Sequence, residues 1–207
     1  MSNTKEKEKN RVPFWKKVLF SEVMLSKNQS HKIAYIAVLT ALNVVVNAVA
    51  SIPLGFVQFS FAIFLSALTG IMIGPLFGFG ACFIGDTLGY IIGNGGGNGW
   101  SPWIGLATAT VALIAGLIMH GVSLKMKGGW VVKLLLVCMV TFVVSTVAIN
   151  STAMYLMWYK KSFDSFWTFL FVRLFVQGQI WNSFFNYLLI FIALPTLARV
   201  KPLKLRL

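Results

Sequence analysis

Two charged side chains stand inside otherwise uncharged, apolar sequence: Asp86 and Arg173. No charge occurs from Ile33 to Gly85, from Thr87 to Leu124, or from Leu134 to Trp158. A charge in lipid is costly and is a functional candidate by default. Two chemistries are open to this pair. Arg173 could bind an anionic ligand group, released from Asp86 when that ligand arrives, or the two could form a structural salt bridge. Beyond Arg173, the residues Gln177, Asn182 and Asn186 extend a polar ladder near i+4 spacing, which on a helix is one face. Such a face turns toward protein, because lipid offers its groups no partners. It serves either ligand binding or helix–helix hydrogen bonding. A third group lies around the loop from Asn94 to Ser101, which holds Asn98 and four glycines between spans. Trp100 and Trp103 edge that loop, Gln58 and Phe59 begin a neighbouring span, and aromatic rings there can stack on a flat heterocycle. Interfacial anchoring is the other role open to the tryptophans.

Other chemistry has no residues to carry it. There is no Ser/His/Asp set at matched depth, no HExxH and no P-loop, so the chain reads as a non-enzyme that does not itself hydrolyse ATP. Cys82 and Cys138 lie inside predicted spans without a CxxC or Cys/His cluster, and His31 and His120 have no partner at ligand spacing. No metal and no disulfide is expected.

These residues are positioned by membrane helices. The chain has 207 residues, is 57% hydrophobic and has a mean hydropathy of +0.79, which is membrane rather than soluble composition. The reading is all-α: a six-helix bundle with spans at 33–51, 56–73, 76–93, 102–120, 134–158 and 166–197. Residues 1–32 form a basic arm with an interfacial helix near 13–25, residues 33–198 the membrane domain, and 199–207 a basic tail. The net charge is +13. It could suggest nucleic acid, but of the 18 Lys and Arg, eight lie in the arm, three between 125 and 133, and four in the tail. That is the positive-inside pattern, and it places both termini in the cytoplasm and the basic clusters against anionic lipid.

Within the bundle, small residues recur at Gly70, Gly74 and Gly78 and then at Ala81, Gly85, Gly89 and Gly93. A stripe without side chains lets helices approach closely, which in lipid replaces the missing hydrophobic drive. Asp86 sits within this stripe.

Taken together, the chain resembles the substrate-binding S component of an energy-coupling-factor (ECF) vitamin transporter. The resemblance covers about 32–197. It rests on the six-span plan, on AxxxA at Ala37 and Ala41, on the junction GIMIGPLFGFGACFIGDTLGY, and on the run Arg173, Gln177, Asn182 and Asn186. The junction and the run are most similar to the folate-type branch. The resemblance implies a multi-pass protein of a prokaryotic plasma membrane that captures a vitamin outside and releases it inside by toppling. It implies one transmembrane coupling subunit, met by Ala37 and Ala41, and two cytosolic ATPases. Those ATPases use the ATP, and this chain holds no cofactor. Only Arg173 is an evident buried cation for a dicarboxylate such as folate, so cobalamin, riboflavin and pantothenate stay open. An ATP-independent carrier using Asp86 as a proton site is the reading from a different class.

Overall fold

The computed structural model describes residues 13–26, 28–49, 51–54, 57–93, 100–123 and 128–199, without the side chains of Phe14 and 51–58. Two short helices, α1 (Phe14–Leu19) and α2 (Glu22–Ser26), precede α3 (Gln29–Val49). A hairpin follows, β1 (Ser51–Leu54) and β2 (Val57–Ser60), then α4 (Ala62–Ile73), α5 (Pro75–Ile92) and α6 (Pro102–Gly121). The long α7 (Gly129–Tyr159), α8 (Phe166–Val176) and α9 (Gln179–Ala198) complete the bundle. Among the described residues five helices, α3, α5, α6, α7 and α9, are long and apolar enough to cross a membrane. The chain is an all-α polytopic membrane bundle.

Two expected spans are built differently. The span read as helical from Phe56 starts as strand β2, antiparallel to β1 with Ser51 opposite Ser60 and Pro53 opposite Gln58. Pro53 of β1 has no N–H for a central ladder position and suits an edge strand, and the helix begins at Ala62, after β2. The span read as one helix from 166 to 197 is broken at Gly178, which has φ +72°. A left-handed residue is cheap for glycine and ends a helix, so α8 and α9 are separate rods.

The tight connection between α4 and α5 rests on Gly74, with φ +92°, followed by Pro75 at the first position of α5. Proline there has its ring pre-set for a helix start. The arm folds against this connection: Val23 and Met24 pack with Leu39, Ile73 and Ala81 in a buried cluster. The main core joins four helices, with Ala67 and Ile71 of α4, Val111 and Ala115 of α6, Leu134 and Val137 of α7, and Ile190 and Leu194 of α9.

The small-residue stripe lies at helix contacts. A Cβ on Gly85 would sit 2.5 Å from Asn43 Cβ of α3, and one on Gly89 would sit 2.6 Å from Asn47 Cβ. One on Gly78 would sit 2.7 Å from Gly70 Cα of α4. These glycines bring α3, α4 and α5 to backbone distance.

Candidate ligand-binding site

A cavity of about 140 Å³ opens where the start of α4 faces α6, α7 and the start of α9. Its walls are Ser60, Ala62 and Ile63, then Ala107, Thr108 and Val111, then Ser145, Thr146 and Asn150, and finally Gln179 and Asn182. Seven of these are polar and none is charged.

The floor of this cavity is tied to α9. Asn182 Oδ1 accepts the Ser60 N–H at 3.0 Å. Asn186 is fully buried and uses its whole amide: Nδ2 donates to the Ser60 carbonyl at 2.7 Å, and Oδ1 accepts the Phe64 N–H at 2.8 Å. These bonds satisfy the backbone where strand gives way to helix. Backbone groups away from water need such partners wherever the chain is not helical. Asn182 therefore both supports the turn and lines the cavity, whereas Asn186 acts in the support alone.

The α7 wall has an unusual winding, a π-helix from Phe142 to Ser151. Ser145 and Thr146 are buried, and Ser145 Oγ and Asn150 Oδ1 have no hydrogen-bond partner. On the opposite wall Thr108 donates its hydroxyl to Asp86 Oδ1 at 3.2 Å and lies equally close to the Ile104 carbonyl. Asp86 is thus behind the wall, holding Thr108 from α5.

The Asp86–Arg173 pair that similar depth left open does not form. Asp86 joins α5 to α6 through Thr108, while Arg173, 5% exposed, donates to the Met154 sulfur of α7. Equal depth in two helices does not fix which way each side chain faces. Nor is the four-residue ladder continuous. The break at Gly178 separates Arg173 and the half-buried Gln177 from Asn182 and Asn186, and neither Arg173 nor Gln177 lines the cavity. Trp100 packs edge-on against Phe83 at 6.4 Å, and Trp103 is 59% exposed. Neither lines the cavity. The backbone of Gln58 pairs in the hairpin, but its side chain lies outside the described residues, as does all of Asn98. Ala37 and Ala41 are exposed on α3, beside outward-facing Val38, Leu42 and Val45. Of that helix only Leu39 and Asn43 are buried.

Sequence reasoning missed Ser60, Thr108, Ser145, Thr146, Asn150 and Gln179. Ser145, Thr146 and Asn150 stand in an uncharged apolar run, and that interruption was a usable signal.

The unpaired arrangement has a measurable consequence. Melting temperatures of Asp86→Asn, Arg173→Gln and the double variant should combine additively, within about 0.5 kcal/mol, as for sites that share no partner. A buried pair would instead make each single change cost roughly 3–5 kcal/mol and the double change far less than their sum.

Over residues 27–199 the chain matches the family described as ECF-type riboflavin transporter, S component. No curated protein matches it. The match corrects the expected folate-type branch. The glycines of the junction motif that suggested that branch serve helix contacts here, so they report how the bundle packs rather than which vitamin it holds. The chain is a membrane-embedded transporter subunit rather than an enzyme, and it belongs to the ECF-type riboflavin transporter S component family.

Proposed function

We propose that this chain captures riboflavin in the cavity between α4, α6, α7 and α9 and delivers it across the cell membrane together with a coupling subunit and two ATPases. The observation that carries this reading is the cavity wall of neutral hydroxyl and amide groups. Riboflavin is uncharged, with a flat ring system edged by hydrogen-bonding groups and a polyhydroxylated chain. Neutral polar walls around apolar ones suit such a ligand. Folate carries two carboxylates, and burying them without cations is costly. Arg173, the one buried cation among the described residues, is turned to Met154. At about 140 Å³ the cavity is smaller than the roughly 300 Å³ at which small-molecule sites begin, so the ligand parts β2 and α7 as it enters. Trp100, Trp103, Asn98 and Gln58 stay candidates for the approach to the site, and Gln177 and Arg173 for its margin.

The docking face is α3. Its outward side carries Ala37 and Ala41 with no bulky residue at either position, so a helix of the coupling subunit can lie close against it.

Calorimetric titration of the purified protein tests the substrate. Riboflavin should bind and folate should not. Heat from folate with none from riboflavin would reverse the assignment.

A further inference from the structure

Helix α3 is held to the bundle along a narrow seam, since Leu39 and Asn43 are the buried residues among its 21. Beneath that seam lie glycines of α5. A Cβ on Gly85 would meet Asn43 Cβ, and one on Gly93 would sit 2.8 Å from the Ala48 carbonyl oxygen. Such a surface lets two backbones come close, but it has no ridge of side chains to stop one helix turning about its axis.

Asn43 supplies the stop. Its Nδ2 donates to Thr69 Oγ1 of α4 at 2.9 Å and to the Leu39 carbonyl of its own helix at 2.8 Å. Its Oδ1 accepts the Cys82 thiol of α5 at 3.6 Å. Thr69 is fixed in turn, donating its hydroxyl to the Leu65 carbonyl at 2.8 Å. Asn43, Thr69 and Cys82 are all fully buried. One amide therefore joins three helices. Turning α3 by a single residue step, about 100°, would carry that amide away from both neighbours. It would then lie among apolar groups that offer no partner. Fixing register in this way is the best-attested use of a buried polar side chain.

The opposite side of α3 carries Ala37 and Ala41. Counting about 100° per residue, Asn43 lies about 200° round the helix from Ala41 and about 240° from Ala37. The amide points into the bundle while the two alanines are exposed. We infer that Asn43 is the positioning residue of the docking face: through Thr69 and Cys82 it sets the rotation of α3 that presents Ala37 and Ala41 to the coupling subunit. This rests on α3 being that face, and it adds what holds the face in place. None of the three residues lines the cavity.

The test uses the full chain with Thr69→Val, which keeps the shape of the side chain but removes the hydroxyl, and Thr69→Ser, which keeps the hydroxyl. Two quantities are measured. One is the rate at which N-ethylmaleimide labels Cys82, with the half-buried Cys138 of α7 followed separately by mass spectrometry as an internal control. The other is co-purification of the coupling subunit. In Thr69→Val, Cys82 should label at least about threefold faster and the coupling subunit should be retained at least about threefold less, the shift that one interhelical hydrogen bond in a membrane supplies. Cys138 should keep its wild-type rate, and Thr69→Ser should match the wild type throughout. Unchanged labelling of Cys82 in Thr69→Val would overturn the inference. Equal acceleration at both cysteines would overturn it too, because the fold as a whole would then have loosened. Faster Cys82 labelling with wild-type retention of the coupling subunit would show that the rotation of α3 does not govern docking, and would also overturn it. If the wild type itself retains no coupling subunit, the docking face is refuted. Asn43 as the pin of α3 is then judged by Cys82 alone: faster labelling in Thr69→Val but not in Thr69→Ser supports it, and any other result overturns it.

Discussion

Gly70→Ala should lower the melting temperature of the solubilised protein by roughly 10 °C, the shift that about 3 kcal/mol produces in a chain of this size. A single methyl has that effect because it has nowhere to go. At Gly70 a Cβ would overlap the backbone of Ala112 in α6, with Ala112 Cα only 2.8 Å away. The same point is crowded from two other sides: a Cβ on Gly78 of α5 would lie 2.7 Å from Gly70 Cα, and one on Gly116 would lie 2.8 Å from the Gly70 carbonyl oxygen. Three helices therefore meet on backbone, and backbone cannot rotate aside as a side chain can. Overpacking usually costs about 1–3 kcal/mol, and this site belongs at the top of that range. Gly80→Ala is the control, because a Cβ there meets nothing within 4 Å. It should leave melting unchanged or raise it slightly through better helix propensity. Equal effects of the two changes would mean that the α4–α5–α6 contact is not as described.

Replacing Ala37 and Ala41 together by tryptophan should lower ATP-driven uptake at least about tenfold, equivalent to 1.4 kcal/mol or more of lost association. Riboflavin binding and melting should stay as in the wild type. The separation of effects follows from exposure. Both alanines face outward from α3, so large rings there disturb no internal packing. They do fill the shallow face that a partner helix needs for close approach. Co-purification of the coupling subunit with the double variant at wild-type yield would remove α3 from the interface. Loss of riboflavin binding would mean that α3 supports the cavity instead.

Some of this was legible in the chain. Uncharged apolar runs marked the membrane-crossing segments, because lipid forces them into helix. Small residues four apart marked helix contacts, and the structure finds Gly78, Gly85 and Gly89 at such contacts. Asn182 and Asn186, four apart and both beyond the break, do share a face and act together on the turn at Ser60. What failed has common physical causes. Counting by fours assumes unbroken α-helix, so the ladder from Arg173 to Asn186 hid the left-handed Gly178. The same counting assumes α-winding and so hid the α7 wall, where Ser145, Thr146 and Asn150 line the cavity from a π-wound stretch. The hairpin from 51 to 60 was masked by its hydrophobicity, which suits a strand and a membrane helix alike. Depth alone left Asp86 free to meet the other buried charge, whereas in the structure it accepts from the Thr108 hydroxyl on the adjacent helix.

We propose that this subunit binds a neutral vitamin and moves it only when coupled to ATP-hydrolysing partners. Uptake of labelled riboflavin into proteoliposomes tests it most directly, comparing the purified chain alone with the chain assembled with its coupling subunit and two ATPases. Uptake is expected only in the assembled vesicles, only with ATP inside the compartment that faces the ATPases, and without competition by folate. Riboflavin accumulation by the chain alone, driven by a pH gradient and lost in Asp86→Asn, would contradict it.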